Sequence, residues 1–124
     1  MGQCYSVELT LKNYDEKKLI EHTFEQYKDN TVDKAKWFDT VEHIIEFILC
    51  KNAPSCNSHP TVEKQEDGSY WASSDFDAAY GWHNSMIEWF EAVAGNGSRM
   101  EIYPDEGRSI TTVKNGKATT IWKG

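Results

Sequence analysis

The chain has 124 residues, 39% hydrophobic and 27% charged, which is enough for one core and too little for two ordinary domains. Twenty Asp and Glu against 13 Lys and Arg leave a formal charge of -7, which argues against a nucleic-acid duplex or an anionic bilayer as partner, because phosphate binding needs clustered cations. No apolar stretch is long enough for a signal-peptide core or a membrane span, and an odd number of cysteines, Cys4, Cys50 and Cys56, fits a reducing, cytoplasmic setting better than a secreted disulfide scaffold.

At the N-terminus, Tyr5, Val7, Leu9 and Leu11 alternate with Ser6, Glu8 and Thr10, which predicts a half-buried strand. Met1-Gly2-Gln3-Cys4-Tyr5-Ser6 also fits the template for N-myristoylation, with Cys4 as a palmitoyl acceptor. A strand beginning so close to Gly2 leaves no free tail, and no polybasic stretch supplies a second membrane signal. A lipid anchor is therefore not expected.

Asn13-Tyr14-Asp15-Glu16 offers capping residues for a first helix, in which Leu19, Ile20, Phe24 and Tyr27 recur at helical spacing to about Lys28. A second helix is predicted from the stripe Trp37, Phe38, Val41, Ile44, Ile45, Ile48 and Leu49. Residues 52–60, with Pro54 and Pro60, read as a loop. Thr61 to Gln65, a turn at Glu66-Asp67-Gly68, and Ser69 to Phe76 predict a hairpin.

Ser74 three residues before Asp77 resembles a capping box for a third helix carrying Ala79, Trp82, Met86, Ile87, Phe90 and Val93, which Gly95-Asn96-Gly97 stops. Three strands follow: Arg99 to Tyr103, Arg108 to Lys114 and Lys117 to Trp122, the last two joined by the hairpin dipeptide Asn115-Gly116. The order β-α-α-β-β-α-β-β-β over residues 1–124 predicts a single α+β domain: a mainly antiparallel sheet of five to six strands with three helices on one face.

Metal chemistry finds little support. Cys50, Cys56 and His59, with Cys4 as a fourth ligand, could surround a zinc, but a five-residue gap containing a proline departs from the usual Cys-x2-4-Cys knuckle. Glu-His-x-x-Glu occurs at Glu21, His22, Glu25 and again at Glu42, His43, Glu46, where a solvated helix face is the simpler account. No cofactor or metal is expected. No nucleophile elbow or phosphate-binding glycine loop is present either, because Gly95 and Gly97 follow a helix instead of opening one. The remaining candidate for chemistry is His83, beside Trp82 and after Tyr80-Gly81, where partial burial could shift its pKa and a gap beside Gly81 could admit a ligand.

Strand parity points to a contact surface. If helices cover Tyr5, Val7, Leu9, Leu11, Tyr70, Ala72, Phe76, Met100 and Ile102, the opposite parity holds Ser6, Glu8, Thr10, Trp71, Ser73, Asp75, Glu101 and Tyr103. The two-residue turn pairs Ile110 with Ile121 and Ser109 with Trp122, and choosing the isoleucines for the core places Ser109, Thr111, Thr120 and Trp122 outside. Large aromatics on a solvated sheet mark a contact surface, so Trp71, Tyr103, Trp122, Asp75, Glu101 and His83 are the candidate binding residues. The expected function is that of a small acidic accessory protein contacting a basic protein partner, or a second copy of itself, with the role of an inhibitor or nucleic-acid mimic as one form of that reading. The alternative is a small enzyme or ligand-binding domain with a pocket at His83, Tyr80 and Trp82.

Overall fold

The computed structural model describes residues 2–49, 59–79 and 81–124. Its elements run β1 (Gly2–Leu11), α1 (Glu16–Gln26), α2 (Lys34–Trp37), α3 (Val41–Ile48), β2 (Thr61–Lys64), β3 (Tyr70–Ala79), α4 (Trp82–Val93), β4 (Arg99–Tyr103), β5 (Arg108–Lys114) and β6 (Lys117–Lys123). The strands form one sheet in the order β2-β3-β1-β4-β5-β6, with every neighbouring pair antiparallel. The α+β class and the predicted strand and helix order hold, with the short α2 as the addition.

β1 lies inside the sheet, between β3 and β4, and its period-two pattern shows why. Tyr5, Val7, Leu9 and Leu11 are buried among helix side chains while Ser6 and Glu8 on the other face are exposed. Phe76, Ala72 and Tyr70 of β3, and Met100 and Ile102 of β4, extend the same buried face. Val41, Ile44, Ile45 and Ile48 of α3 recur at helical spacing and are all buried, as the sequence stripe requires. α1 docks on α4 through a buried polar contact: Trp89 Nε1 donates to Thr23 Oγ1 at 2.9 Å, and that hydroxyl donates to the Leu19 carbonyl.

The predicted second helix divides in two. Thr40 is extended, and its Oγ1 accepts from the His43 amide at 3.1 Å, so the chain restarts a helix there instead of continuing from Trp37 and Phe38. The third helix begins at Trp82, not near Asp77. β3 instead continues to Ala79 because β1, which reaches back to Gly2, supplies ladder partners: Tyr5 for Phe76, Cys4 for Asp77 and Gly2 for Ala79. Those strand pairings outweigh a local capping pattern.

Trp37 and Trp82, read from their stripes as core residues, are only partly buried. The fully buried tryptophan is Trp89. Trp82 joins an aromatic cluster with Tyr27 and Phe47 and donates from Nε1 to the Ile48 carbonyl at 3.1 Å. Gly95 sits where the end of α4 crosses the end of β1: its amide donates to the Lys12 carbonyl, and a Cβ there would lie 2.1 Å from the Asn13 carbonyl oxygen. Only glycine permits that approach.

The last hairpin has the predicted register and the opposite facing. Asn115 and Gly116 both adopt positive φ, 53° and 75°, and pair Lys114 with Lys117 and Ile110 with Ile121. Met100 pairs with Thr111, however, and Ile102 with Ser109. Ser109, Thr111 and Val113 therefore lie under the helices and are buried, while Ile110, which is also buried, and the exposed Ile121 share the face of Glu101. Trp122, opposite Ser109, is on the helix side and not on the open face.

The physical cause is the position of α4. It comes within 8 Å of β5 and β6, Cα to Cα, so the strand positions beneath it must be small. Thr120 Oγ1 donates to Glu91 Oε2 of α4 at 2.6 Å, and Thr111 then donates to Thr120 at 2.8 Å.

Candidate functional site: the open face of the sheet

All six strands pair across the open face in continuous rows. One row runs Glu63, Trp71, Thr10, Arg99, Thr112 and Thr119 from β2 to β6; the next runs Thr61, Ser73, Glu8, Glu101, Ile110 and Ile121. Asp75, Ser6 and Tyr103 continue beside Arg108 and Lys123. Among the described residues, no helix lies on this side.

Trp71 and Tyr103 occupy the face that the sequence assigns them. Trp71 is partly buried and donates from Nε1 to Glu8 Oε2 at 3.2 Å, which holds the indole across β1. Tyr103 is 39% exposed. Its hydroxyl donates to Glu101 and accepts from Arg108, while Glu101 also binds the Arg99 guanidinium. The Tyr103 hydroxyl and the Arg99 guanidinium together hold the Glu101 carboxyl below the ordinary range, so it stays charged. Asp75 is exposed and, with Ser6, Glu8, His59, Ser73 and Tyr103, lines a shallow depression over β3, β1 and β4. Cys4 also lies here, its thiol donating to Asp77 Oδ1 at 2.6 Å.

Trp122 and His83 form a separate cluster behind the sheet. His83 Nδ1 is 3.2 Å from the Tyr5 hydroxyl, and its ring meets Trp122 edge to face with centroids 5.4 Å apart. Burial lowers the His83 pKa and so favours the neutral ring beside the Tyr5 hydroxyl. Trp122 is 53% exposed and shields one side of this pair. Trp82 points instead to α3, and Tyr80 lies outside the described residues.

The other candidates do not converge. His22 bonds to Gln26 at 2.8 Å and His43 to Asp39 at 2.6 Å, each on its own helix or its N-terminal approach. Cys50 and Cys56 lie outside the described residues, and His59 is exposed at the start of β2. Among the described residues no group of three His, Cys, Asp or Glu is placed to share a metal ion, and no helix is long and apolar enough to cross a membrane.

Parity reasoning missed Ile121, 47% exposed on the open face, and with it the cations of β5 and β6. The Asn115-Gly116 register already ties Lys114, Lys117 and Lys123 to the isoleucine parity. What it lacked was the link from β5 to β4. No protein-family model, curated protein or solved structure matches this chain.

Proposed function

We propose that the chain is a binding protein, acting in the cytoplasm, that contacts a protein partner through the open face of its sheet. The observation that carries this reading is the combination of Trp71, Tyr103 and Ile121 on a six-stranded face that no described helix covers. Large apolar groups left on such a surface serve as anchors when a partner removes them from water. The acidic β2-β3-β1 side, with Glu63, Asp75, Asp77 and Glu8, is complementary to a basic surface on the partner, as an inhibitor or accessory protein would require.

The test is capture from lysate of the source cells by wild type and by the double variant Trp71→Ala, Tyr103→Ala. Both should keep the same circular-dichroism spectrum, and only wild type should retain its partner. Equal capture would remove the open face from the function.

A small-ligand reading at Tyr5, His83 and Trp122 is favoured by one observation, a half-exposed indole over a hydrogen-bonded His-Tyr pair. These residues offer stacking and a hydrogen bond, a binding set without a carboxylate to drive proton transfer.

A further inference from the structure

We infer that the partner that fits this face is a second copy of the same chain, the two sheets packing face to face about a two-fold axis parallel to the strands. The inference rests on the binding-face reading above, and it comes from how charge is distributed over the face.

On the open side, β2, β3 and β1 carry Glu63, Asp75, Asp77 and Glu8 and no cation. β5 and β6 carry Arg108, Lys114, Lys117 and Lys123 and no acid. β4, next to β1 at the centre of the sheet, carries one of each, Arg99 and Glu101, bonded to each other. The chain as a whole has a formal charge of -7, yet among the described residues the strands of this face balance five acids with five cations. The excess negative charge lies elsewhere. A surface that recruited only a basic protein would gain nothing from a cationic half.

The strand order makes the two halves equal in width. Three strands, β2-β3-β1, lie on one side of the β1-β4 boundary and three, β4-β5-β6, on the other. A dyad along that boundary lays β2 of one copy over β6 of the other and β3 over β5, while leaving positions along the strands unchanged. Asp75 of each copy then faces Arg108 and Lys123 of the other, and Glu63 comes beside Lys117. Trp71 lands over Thr112, between the levels of Ile110 and Lys114, within reach of the exposed Ile121. This dyad confines like charge to the seam, where Glu8 comes over Glu101, itself bonded to Arg99; the alternative dyad, perpendicular to the strands, would lay each acidic strand on itself and each cationic strand on itself, which charge repulsion disfavours more strongly.

Six strands spaced about 4.8 Å apart and roughly seven residues at about 3.3 Å each make a face on the order of 600 Å2 per copy. That sits at the low end of specific interfaces, so the dimer should be weak, reversible and sensitive to salt.

The experiment is sedimentation equilibrium of the full chain at low and high salt, with two charge-reversed variants. Arg108→Glu with Lys123→Glu leaves one side of the seam wholly acidic and removes the cationic excess of the other, placing carboxylates where Asp75 of the second copy would land. Glu63→Lys with Asp75→Lys shifts it toward a cationic face. Thermal unfolding should show both variants folded, since these side chains lie on the surface. Wild type should dimerise at about 100 μM in low salt and dissociate in about 0.5 M salt. Each variant alone should dimerise at least tenfold more weakly, and a one-to-one mixture of the two should restore association as a heterodimer.

A wild type that remains monomeric, or a mixture that fails to associate, would overturn the inference. If that monomer still captured a different protein in a Trp71-dependent way, the binding-face reading would stand without it. If it captured nothing, both would fall.

Discussion

The two ends of the sheet meet their helices in opposite ways. Under β1, β3 and β4 the helix-facing positions are mostly large and apolar, including Tyr5, Leu9, Phe76 and Ile102, and the outward positions are mostly polar, Ser, Thr, Glu and Asp, around Trp71 and Tyr103. At β5 and β6 the helix-facing positions are Ser109, Thr111, Ala118 and Thr120, with Val113 and Trp122 at the two ends, and the outward ones include Ile110 and Ile121. The first buries its inner surface throughout; the second does so on β5 and only partly on β6. The first fills space with side chains from the sheet, whereas the second lets the α4 backbone come close and bridges Thr111 and Thr120 to Glu91 by hydrogen bonds. The facing of a strand thus follows the volume available to it, not hydrophobicity alone.

Substitutions can break or sharpen this contrast. The largest effect should come from Leu9→Ala on β1, where a fully packed side chain is lost: about 2–5 kcal/mol, read as a lower urea midpoint. On β5 the opposite operation should hurt. Thr111→Leu puts a larger side chain under α4 and should cost about 1–3 kcal/mol through overpacking, beyond the loss of the Thr120 bond. Unchanged or improved stability there would mean that α4 stands farther from the strand than described.

Ser109 offers a more delicate check, because its hydroxyl is buried without a hydrogen-bond partner. Removing it in Ser109→Ala should leave stability unchanged or raise it by up to about 1 kcal/mol, since no bond is lost and a desolvated polar group disappears. A clear destabilisation in chemical denaturation would place that residue in a different environment.

The smallest effect concerns pH. Burial lowers the His83 pKa from its ordinary value of 6.5, so the unfolded chain binds a proton more readily than the folded one. The contribution of His83 to stability is then complete above the unfolded value and declines as pH falls through 6.5 toward the folded value. The melting temperature of wild type should drop by more between pH 7.5 and 5.5 than that of His83→Gln, which keeps a polar side chain without a titrating ring. Parallel curves for the two proteins would show that His83 charges freely beside Tyr5 and Trp122.

Much of the candidate site was legible from particular residues. Trp71 and Tyr103 fell on the open face because β1, β3 and β4 alternate cleanly, and Glu8, Asp75 and Glu101 followed by the same parity. Trp122 did not, because its neighbours alternate between threonine and a single isoleucine, a pattern with no strong apolar side. The extension of β3 to Ala79 was hidden for a related reason: its partners sit more than seventy residues earlier, at Gly2 to Cys4.

By itself, the sequence determined the strand and helix order, the Asn115-Gly116 turn with its register, and the apolar face of β1. Each of these depends on neighbours within a few residues, through backbone preference or a repeat of two or 3.6. Only the tertiary structure decided which side of the last hairpin faces α4, and so which tryptophan stands on the open surface and which beside His83. A hairpin can present either face without changing its own hydrogen bonds, and the choice is made by the β4-β5 pairing and by the space that α4 leaves beneath it.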